Sequence, residues 1–321
     1  MLRGIVMKKI IIMFSLLLLL FSCSKSNNKN YIFATGGTSG TYYSFGGAIA
    51  NIWNSNIEAM NVTAQSTGAS AENLRLLNMH EADLALVQND VMYYAYNGTD
   101  IFDGEVLTNF SAMLTLYPEI VQIAATKASG ITNIASMKGK RVSVGDAGSG
   151  TEFNAKQILE AYGLTFNDIQ KSSLSFKESS DGLQNGTLDA CFIVAGIPNA
   201  ALQELSLSTD IVMVGLDDVE IADIMKKYNY YTEVVIPANT YKGVVADTKA
   251  VAVKATIAVN NNIPEEDVYN MLKTLFDKKA DLITAHAKGE ELDINQSYEG
   301  ISIPFHPGAL KYYQELGYQV K

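Results

Sequence analysis

Three glycines and three hydroxyl residues stand together in Gly36-Gly37-Thr38-Ser39-Gly40-Thr41, a composition suited to seating a small anion. Glycine lets a ligand approach the backbone closely and accepts positive φ. A β-prone run enters this loop at Ile32, and residues 45–53 leave it with apolar side chains at helical spacing. A helix starting there turns its unpaired N–H groups and the positive end of its dipole toward the loop. Such a terminus can hold a carboxylate. No Lys-Ser/Thr pair closes the loop, so it is not a Walker loop, and alone the pattern also describes a plain tight turn. The same ingredients recur in Gly145-Asp146-Ala147-Gly148-Ser149-Gly150-Thr151, after a strand at 141–144 and before a helix at 152–162. Ser149 and Glu152 have the spacing of a capping box, which fixes that helix start whatever else the loop does.

The elements that must position these loops repeat as well. Residues 60–65 read as a strand running into Ser66-Thr67-Gly68-Ala69-Ser70, followed by a helix over 71–79 with one apolar face. Residues 82–87 suit a buried parallel strand, tipped by Gln88-Asn89-Asp90, with the next helix beginning at Val91. In the second half, a short strand is expected at 174–176 and a helix at 181–184. The strand 189–194 follows, and Ala195-Gly196-Ile197-Pro198 opens another helix. The order recurs once, at a period of about 110 residues, which fits two similar lobes better than a solenoid. Between the halves, 113–126 is extended and interrupted by Pro118. Later come strand-like runs at 210–215 and 230–237, a turn-rich loop at 237–243, and an extended run at 250–260. An amphipathic helix at 264–287 and a terminal helix carrying Tyr312 and Tyr313 complete the chain. In open α/β sheets, ligands collect at the carboxyl ends of strands.

Composition narrows the chemistry. A chain of 321 residues allows two domains of ordinary size, and 48% hydrophobic with 18% charged residues describes a globular core. The formal charge is -10, and loss of Arg3, Lys8 and Lys9 with a leader makes it about -13. That balance argues against nucleic acid as a partner. Arginine is confined to Arg3, Arg75 and Arg141, so a bidentate Arg clamp is not the expected device. His80, His286 and His306 have no metal-binding spacing, and neither a metal nor a cofactor is expected. Cys191 lies in an apolar run and reads as a buried, inert thiol. Met7-Lys8-Lys9 followed by the apolar run 10–21 reads as a signal peptide. It ends at Leu20-Phe21-Ser22-Cys23, which resembles a bacterial lipobox. Residues 1–23 are thus expected to be a leader, with Cys23 lipidated, the protein anchored outside the cytoplasmic membrane, and 24–30 a polar linker. Phe21 is bulky for a lipobox, so plain signal-peptide cleavage stays open, as does a true start at Met7.

Residues 36–43, 66–77, 82–91, 142–159, 189–199 and 236–243 together resemble the TAXI family, the solute-binding receptors of tripartite (TRAP) transporters. The similarity spans nearly all of the chain beyond the leader. It implies an α/β, two-lobed periplasmic-binding-protein class II fold with a ligand cleft between the lobes. One lobe is then expected to hold 31–120 plus 252–321 and the other 121–251. The resemblance further implies a small carboxylate ligand such as glutamate, glutamine or 2-oxoglutarate, and an ion-gradient-driven TRAP permease as partner. Thr38-Ser39 departs from the Thr-Gly of many members and adds a hydroxyl.

On this reading Thr38, Ser39, Gly40 and Thr41 grip one end of the ligand, and Ser149, Gly150 and Thr151 grip it from the other lobe. Ser66, Thr67, Gln88 and Asn89 add polar contacts, Ala195 and Gly196 contribute backbone, and Tyr241 is a candidate cleft residue. Asp146 and Glu152 either meet a ligand amine or serve as solvated or capping carboxylates. Tyr42 and Tyr43 are core or cleft wall, and Trp53 is core. Besides a lipoprotein whose receptor role is immunological or sensory only, with no transport partner, two rival readings remain. One is a binding lipoprotein serving an ABC transporter. The other is a secreted serine hydrolase, against which Ala147 breaks the G-x-S-x-G pattern around Ser149. An enzyme is not expected.

Overall fold

The computed structural model describes residues 28–320; the leader, Cys23 and most of the polar linker lie outside the described residues. The strands, in chain order, are β1 (Lys29–Ala34), β2 (Met60–Gln65), β3 (Leu84–Gln88), β4 (Phe110–Thr126) and β5 (Arg141–Ser143). They continue with β6 (Gln170–Ser172), β7 (Ala190–Ala195), β8 (Ile211–Met213), β9 (Thr232–Ile236) and β10 (Thr248–Asn260). The helices are α1 (Thr41–Asn56), α2 (Ser70–Asn78), α3 (Asn89–Asn97), α4 (Gly150–Ala161) and α5 (Phe176–Gln184). After these come α6 (Ala200–Ser208), α7 (Asp218–Lys227), α8 (Glu265–Asp277), α9 (Lys279–Ala285) and α10 (Pro307–Glu315).

The strands join in the order β2-β1-β3-β10-β4-β7-β5-β6, with β8 added to β4 and β9 to β10. The β1–β2 and β1–β3 pairs are parallel, as are β5–β6 and β5–β7. The two parallel groups are joined by β4 and β10, which pair antiparallel from Phe110–Asn260 to Ile120–Ala252. Pro118 stands opposite Lys254, where the register of that pair shifts. A proline lacks the N–H a central ladder needs, so an irregularity is where a long strand tolerates one. What reads in sequence as an interruption is one strand that bends and continues.

Side chains divide at the same place. One core gathers residues up to Tyr117 on β4 and from Ala255 on β10, packed against α1, α2, α3, α8 and α10. Another begins at Val121 and runs to Val253, with α4 and α7. Each strand therefore serves one core at one end and another core at the other. Trp53 is fully buried on α1, and its indole N–H donates to the Met271 carbonyl at 2.9 Å. Tyr31 and Lys29 reach Asp267 of α8 at 2.6 and 2.5 Å, holding the start of β1 to that helix.

Two local expectations change. The strand expected at 174–176 does not form; β6 ends at Ser172, and Ser175 caps a helix that begins at Phe176, five residues before the expected start. Ser175 and Glu178 exchange the two bonds of a capping box, which decides those residues in favour of a helix start. The helix expected over 264–287 is divided at Lys278 into α8 and α9.

Asn73 of α2 is fully buried and binds the tips of two strands. Its amide donates to the carbonyls of Thr35 and Leu86, both at 2.7 Å, and its oxygen accepts from the Thr67 hydroxyl at 2.6 Å. Replacing Asn73 with Leu strands two buried carbonyls and should lower stability by about 2–4 kcal/mol. Urea unfolding followed by circular dichroism measures this; an unchanged midpoint would show that the tips do not need the tie.

Candidate ligand-binding site

Backbone geometry brings the two glycine loops face to face. The first ends at α1, whose N-cap is Gly40 and whose first turn carries neither an acid nor a side-chain cap. The second ends at α4, where Ser149 accepts from the Glu152 N–H. Gly145 and Gly148 have φ of 89° and 75°, a region open to glycine without strain. Between the loops lies a hollow of ≈ 40 Å³, room for roughly three waters at about 10–15 Å³ each. One wall is Gly36, Gly37, Ser39, Gly40, Thr41 and Tyr42, with Ala69, Ser70 and Gln88 from the next two strand tips. The other wall is Asp146, Ser149, Gly150, Thr151 and Phe176 with the end of β7 at Val194 and Ala195. Glu119 of β4 lies between them.

The walls are close. A Cβ on Gly150 would sit 1.9 Å from Gln88 Oε1, so only a glycine permits this approach. Beside the hollow, α3 and α4 are joined directly. Asn154 donates to Asp90 Oδ2 at 3.0 Å and to the Tyr231 hydroxyl at 2.6 Å, and Gln157 donates to the Tyr94 hydroxyl at 3.1 Å. Burial pushes the Asp90 carboxyl up to about 6.

Eight sequence-derived positions line this hollow: Ser39, Gly40, Thr41, Gln88, Ser149, Gly150, Thr151 and Ala195. The other six lie elsewhere, each with a structural occupation. Thr38 lines a neighbouring hollow with Ser44, Pro198 and His286. Ser66 donates to the Gly36 carbonyl, and Thr67 is bound to Asn73. Asn89 joins Gly300 to the Lys254 N–H across β10. Gly196 leaves room for the Lys288 side chain. Tyr241, at 1% exposure, donates to Gln122 and accepts from the Asn199 N–H at 2.9 Å. A full hydrogen-bond complement and burial make it a structural tie instead of a cleft wall. Of the alternatives left open by sequence, Tyr42 reaches the hollow while mostly buried, and Glu152 is engaged by the Gly148 N–H and Lys171.

Sequence reasoning missed Glu119. It is 3% exposed, accepts from the Tyr42 hydroxyl at 2.5 Å, and faces the Gln88 amide. Burial, which penalises the ionised form, pushes its carboxyl up to about 8. A signal was present: Glu119 is the one charged residue in the seventeen of β4. Gln88 Oε1 is buried with no hydrogen-bond partner among the described residues. Asp146 is also raised, by burial and by the nearby Glu178 and Glu72 carboxylates.

The hydrolase alternative finds no support in these contacts. Ser149 is spent as a helix cap. The one serine–histidine contact among the described residues, Ser44 Oγ to His286 Nε2 at 3.1 Å, has Nδ1 of that ring accepting from the Lys288 N–H. The neutral ring then carries its proton on Nε2, where a base would need a lone pair. Cys191 is fully buried, and burial pushes its thiol up to about 12, as expected of an inert core residue. Among the described residues no group of three or more His, Cys, Asp or Glu is arranged to hold a metal.

Comparison with solved structures gives the α/β, two-lobed fold of periplasmic solute-binding proteins. The alkanesulfonate-binding protein SsuA from Xanthomonas axonopodis pv. citri, solved with MOPS, is similar at a TM-score of 0.51 and 14% identity, over 82% of this chain and 80% of that one. PhnD1 from Prochlorococcus marinus, in complex with methylphosphonate, is similar at 0.53 and 9%, over 91% and 99%. A binding-protein component of an ABC phosphonate transporter from Pseudomonas aeruginosa is similar at 0.50 and 11%, over 81% and 79%. The model of the NMT1-like family matches residues 33–317.

Glu119 has a folded-state value of about 8 against an ordinary 4.5, so the folded chain holds a proton that the unfolded chain releases in that window. Stability should fall as pH rises from about 4.5 to about 8, by at most about 1.4 kcal/mol per unit. Glu119→Gln should flatten that slope in denaturation midpoints taken from pH 5 to 9. An unchanged slope would mean the carboxyl is not held neutral.

Proposed function

We propose that this chain, which belongs to the NMT1-like family, is an extracytoplasmic solute-binding receptor that closes two lobes on a small carboxylate and delivers it to a membrane permease. The observation that carries this reading is the shared hollow, lined by Thr41 from one glycine loop and Thr151 from the other. Neither hydroxyl has a hydrogen-bond partner among the described residues. We take the lobes as 31–120 plus 252–321 and 121–251, a division supported by where the two cores part. The ligand is held by Ser39, Gly40 and Thr41 from one side and Ser149, Gly150 and Thr151 from the other, with Gln88 and the Ala195 backbone completing the seat. The N–H groups at the starts of α1 and α4 face its carboxylate. Because a ligand touching both loops binds the closed form better than the open one, its binding drives closure.

For the membrane partner, the ABC-type permease that stood second on sequence now takes precedence over the TRAP permease, because a protein of this fold is a component of an ABC phosphonate transporter. The TAXI-like motifs at 36–43 and 142–159 keep the TRAP reading as the alternative. Uptake into vesicles holding the receptor and its permease separates the two. Dependence on ATP supports the first; dependence on an ion gradient without ATP supports the second. Lipidation at Cys23 completes the localisation, and Cys23→Ser should release the protein from the membrane fraction.

The combined Thr41→Val and Thr151→Val variant removes two hydroxyls without changing side-chain size. Calorimetry on the best ligand from a screen of amino acids and dicarboxylates should show affinity weaker by about 10–100-fold. Unchanged affinity would remove the ligand from between the loops.

A further inference from the structure

Next to the hollow, α3 and α4 meet along a ladder of side chains. Gly150, Asn154 and Gln157 follow one face of α4 at spacings of four and three, and they meet Gln88, Asp90 and Tyr94 in that order. Asn154 and Asp90 are both fully buried. Asn154 donates one N–H to Asp90 Oδ2 at 3.0 Å and the other to the Tyr231 hydroxyl at 2.6 Å. That hydroxyl donates onward to Gln157 Oε1 at 2.7 Å. Both N–H groups of the Asn154 amide are then spent. Left over are two oxygens of the same pair, Asp90 Oδ1 and Asn154 Oδ1, each buried without a hydrogen-bond partner among the described residues. A buried acceptor without a donor is costly, and a carboxylate beside this amide has none to give. A carboxylic acid has one, its own O–H.

We propose that Asp90 carries a proton on Oδ1 and shares it with Asn154 Oδ1, so that two reciprocal hydrogen bonds tie α3 to α4 and one of them is lost when the proton leaves. Turning the Asn154 amide over does not remove the need for that proton, because its oxygen would then face Asp90 Oδ2 at 3.0 Å with no hydrogen between them. Burial supports the neutral acid. It pushes the carboxyl up to about 6, against the opposing pull of the Val91, Asn154 and Asp90 N–H groups. The titratable groups that act on Asp90 or feel it are Tyr94 on its own helix, Asp100 beyond that helix, Tyr230 and Tyr231 before β9, and Glu119 on β4. Lys156 of α4 is paired with Asp100 at 3.9 Å. Ionisation of Asp100 or Glu119 holds the Asp90 proton more firmly. Residues of α3 pack into one core and most apolar residues of α4 into the other, so the proton strengthens a contact between the two halves of the molecule. On the receptor reading it favours the form in which the glycine loops face each other, whatever ligand they hold. The pair itself needs no ligand, so its test stands apart from that reading.

Carbon-13 NMR of the ligand-free protein, labelled at the aspartate carboxyls, reads the pair directly, the Asp90 signal being the one lost in Asp90→Asn. It should titrate at about 6, well above the ordinary 3.8. A midpoint within about one unit of that ordinary value overturns the proposal. Urea unfolding gives a second reading, taken in the Glu119→Gln background so that Glu119 does not titrate. The folded chain keeps the Asp90 proton that the unfolded chain releases above 3.8. Stability from this pair is therefore full below 3.8 and is lost as pH rises. The unfolding constant should climb by nearly tenfold per unit between about pH 4.5 and 6, then level off. Asp90→Asn offers Asn154 Oδ1 an N–H at every pH. It should abolish that climb and leave the chain more stable than its parent at pH 7.5. A climb that survives Asp90→Asn assigns the proton to another group and overturns the proposal. An Asp90→Asn chain weaker than its parent at pH 7.5 overturns it too, since the ionised carboxylate is then well served, as by an enclosed water.

Discussion

The architecture depends on a long antiparallel pairing between β4 and β10, whose two ends belong to different cores. Everything on either side is built from ordinary parallel α/β units, and each could bury its own apolar faces. The crossing strands fix where the ends of the two units meet. The irregularity opposite Pro118 lies beside Glu119, so the most buried acid of the site sits on the segment that links the lobes.

That placement has an electrostatic consequence. A chain with an excess of acidic residues is a poor general collector of anions, yet two helix starts, which favour them, border the hollow. The conflict resolves locally. Backbone N–H groups act over a few ångströms and cost no side-chain ordering, while the overall charge is screened beyond about 10 Å in ordinary salt. Glu119 and Asp146 add carboxyl groups to the same small lining.

Much of this was legible in the sequence because it is written in local chemistry. The glycine-rich loop at Gly36–Gly40, the capping pair Ser149 and Glu152, and the short apolar run before Gln88 each declare their backbone with their own residues. Residues that act through the chain's return were not legible. Asn89 looks like an exposed tip residue until β10 arrives to offer the Lys254 N–H, and Tyr241 looks like a cleft aromatic until Gln122 and Asn199 take both sides of its hydroxyl. Glu119 was hidden by its neighbours: a proline in an apolar stretch read as an interruption, and the lone charge beside it drew no reading. The misread helix start at Phe176 differs in kind, since Ser175 and Glu178 carried the cap signal all along.

One contact limits what position 150 can carry. Gly150 meets the Gln88 amide so closely that a single added carbon would occupy the same space. A methyl group there could enter only if the end of the Gln88 side chain moved away. A chain carrying one would still fold, since each side keeps its own core, and the displacement would fall on a buried polar side chain that lines the hollow.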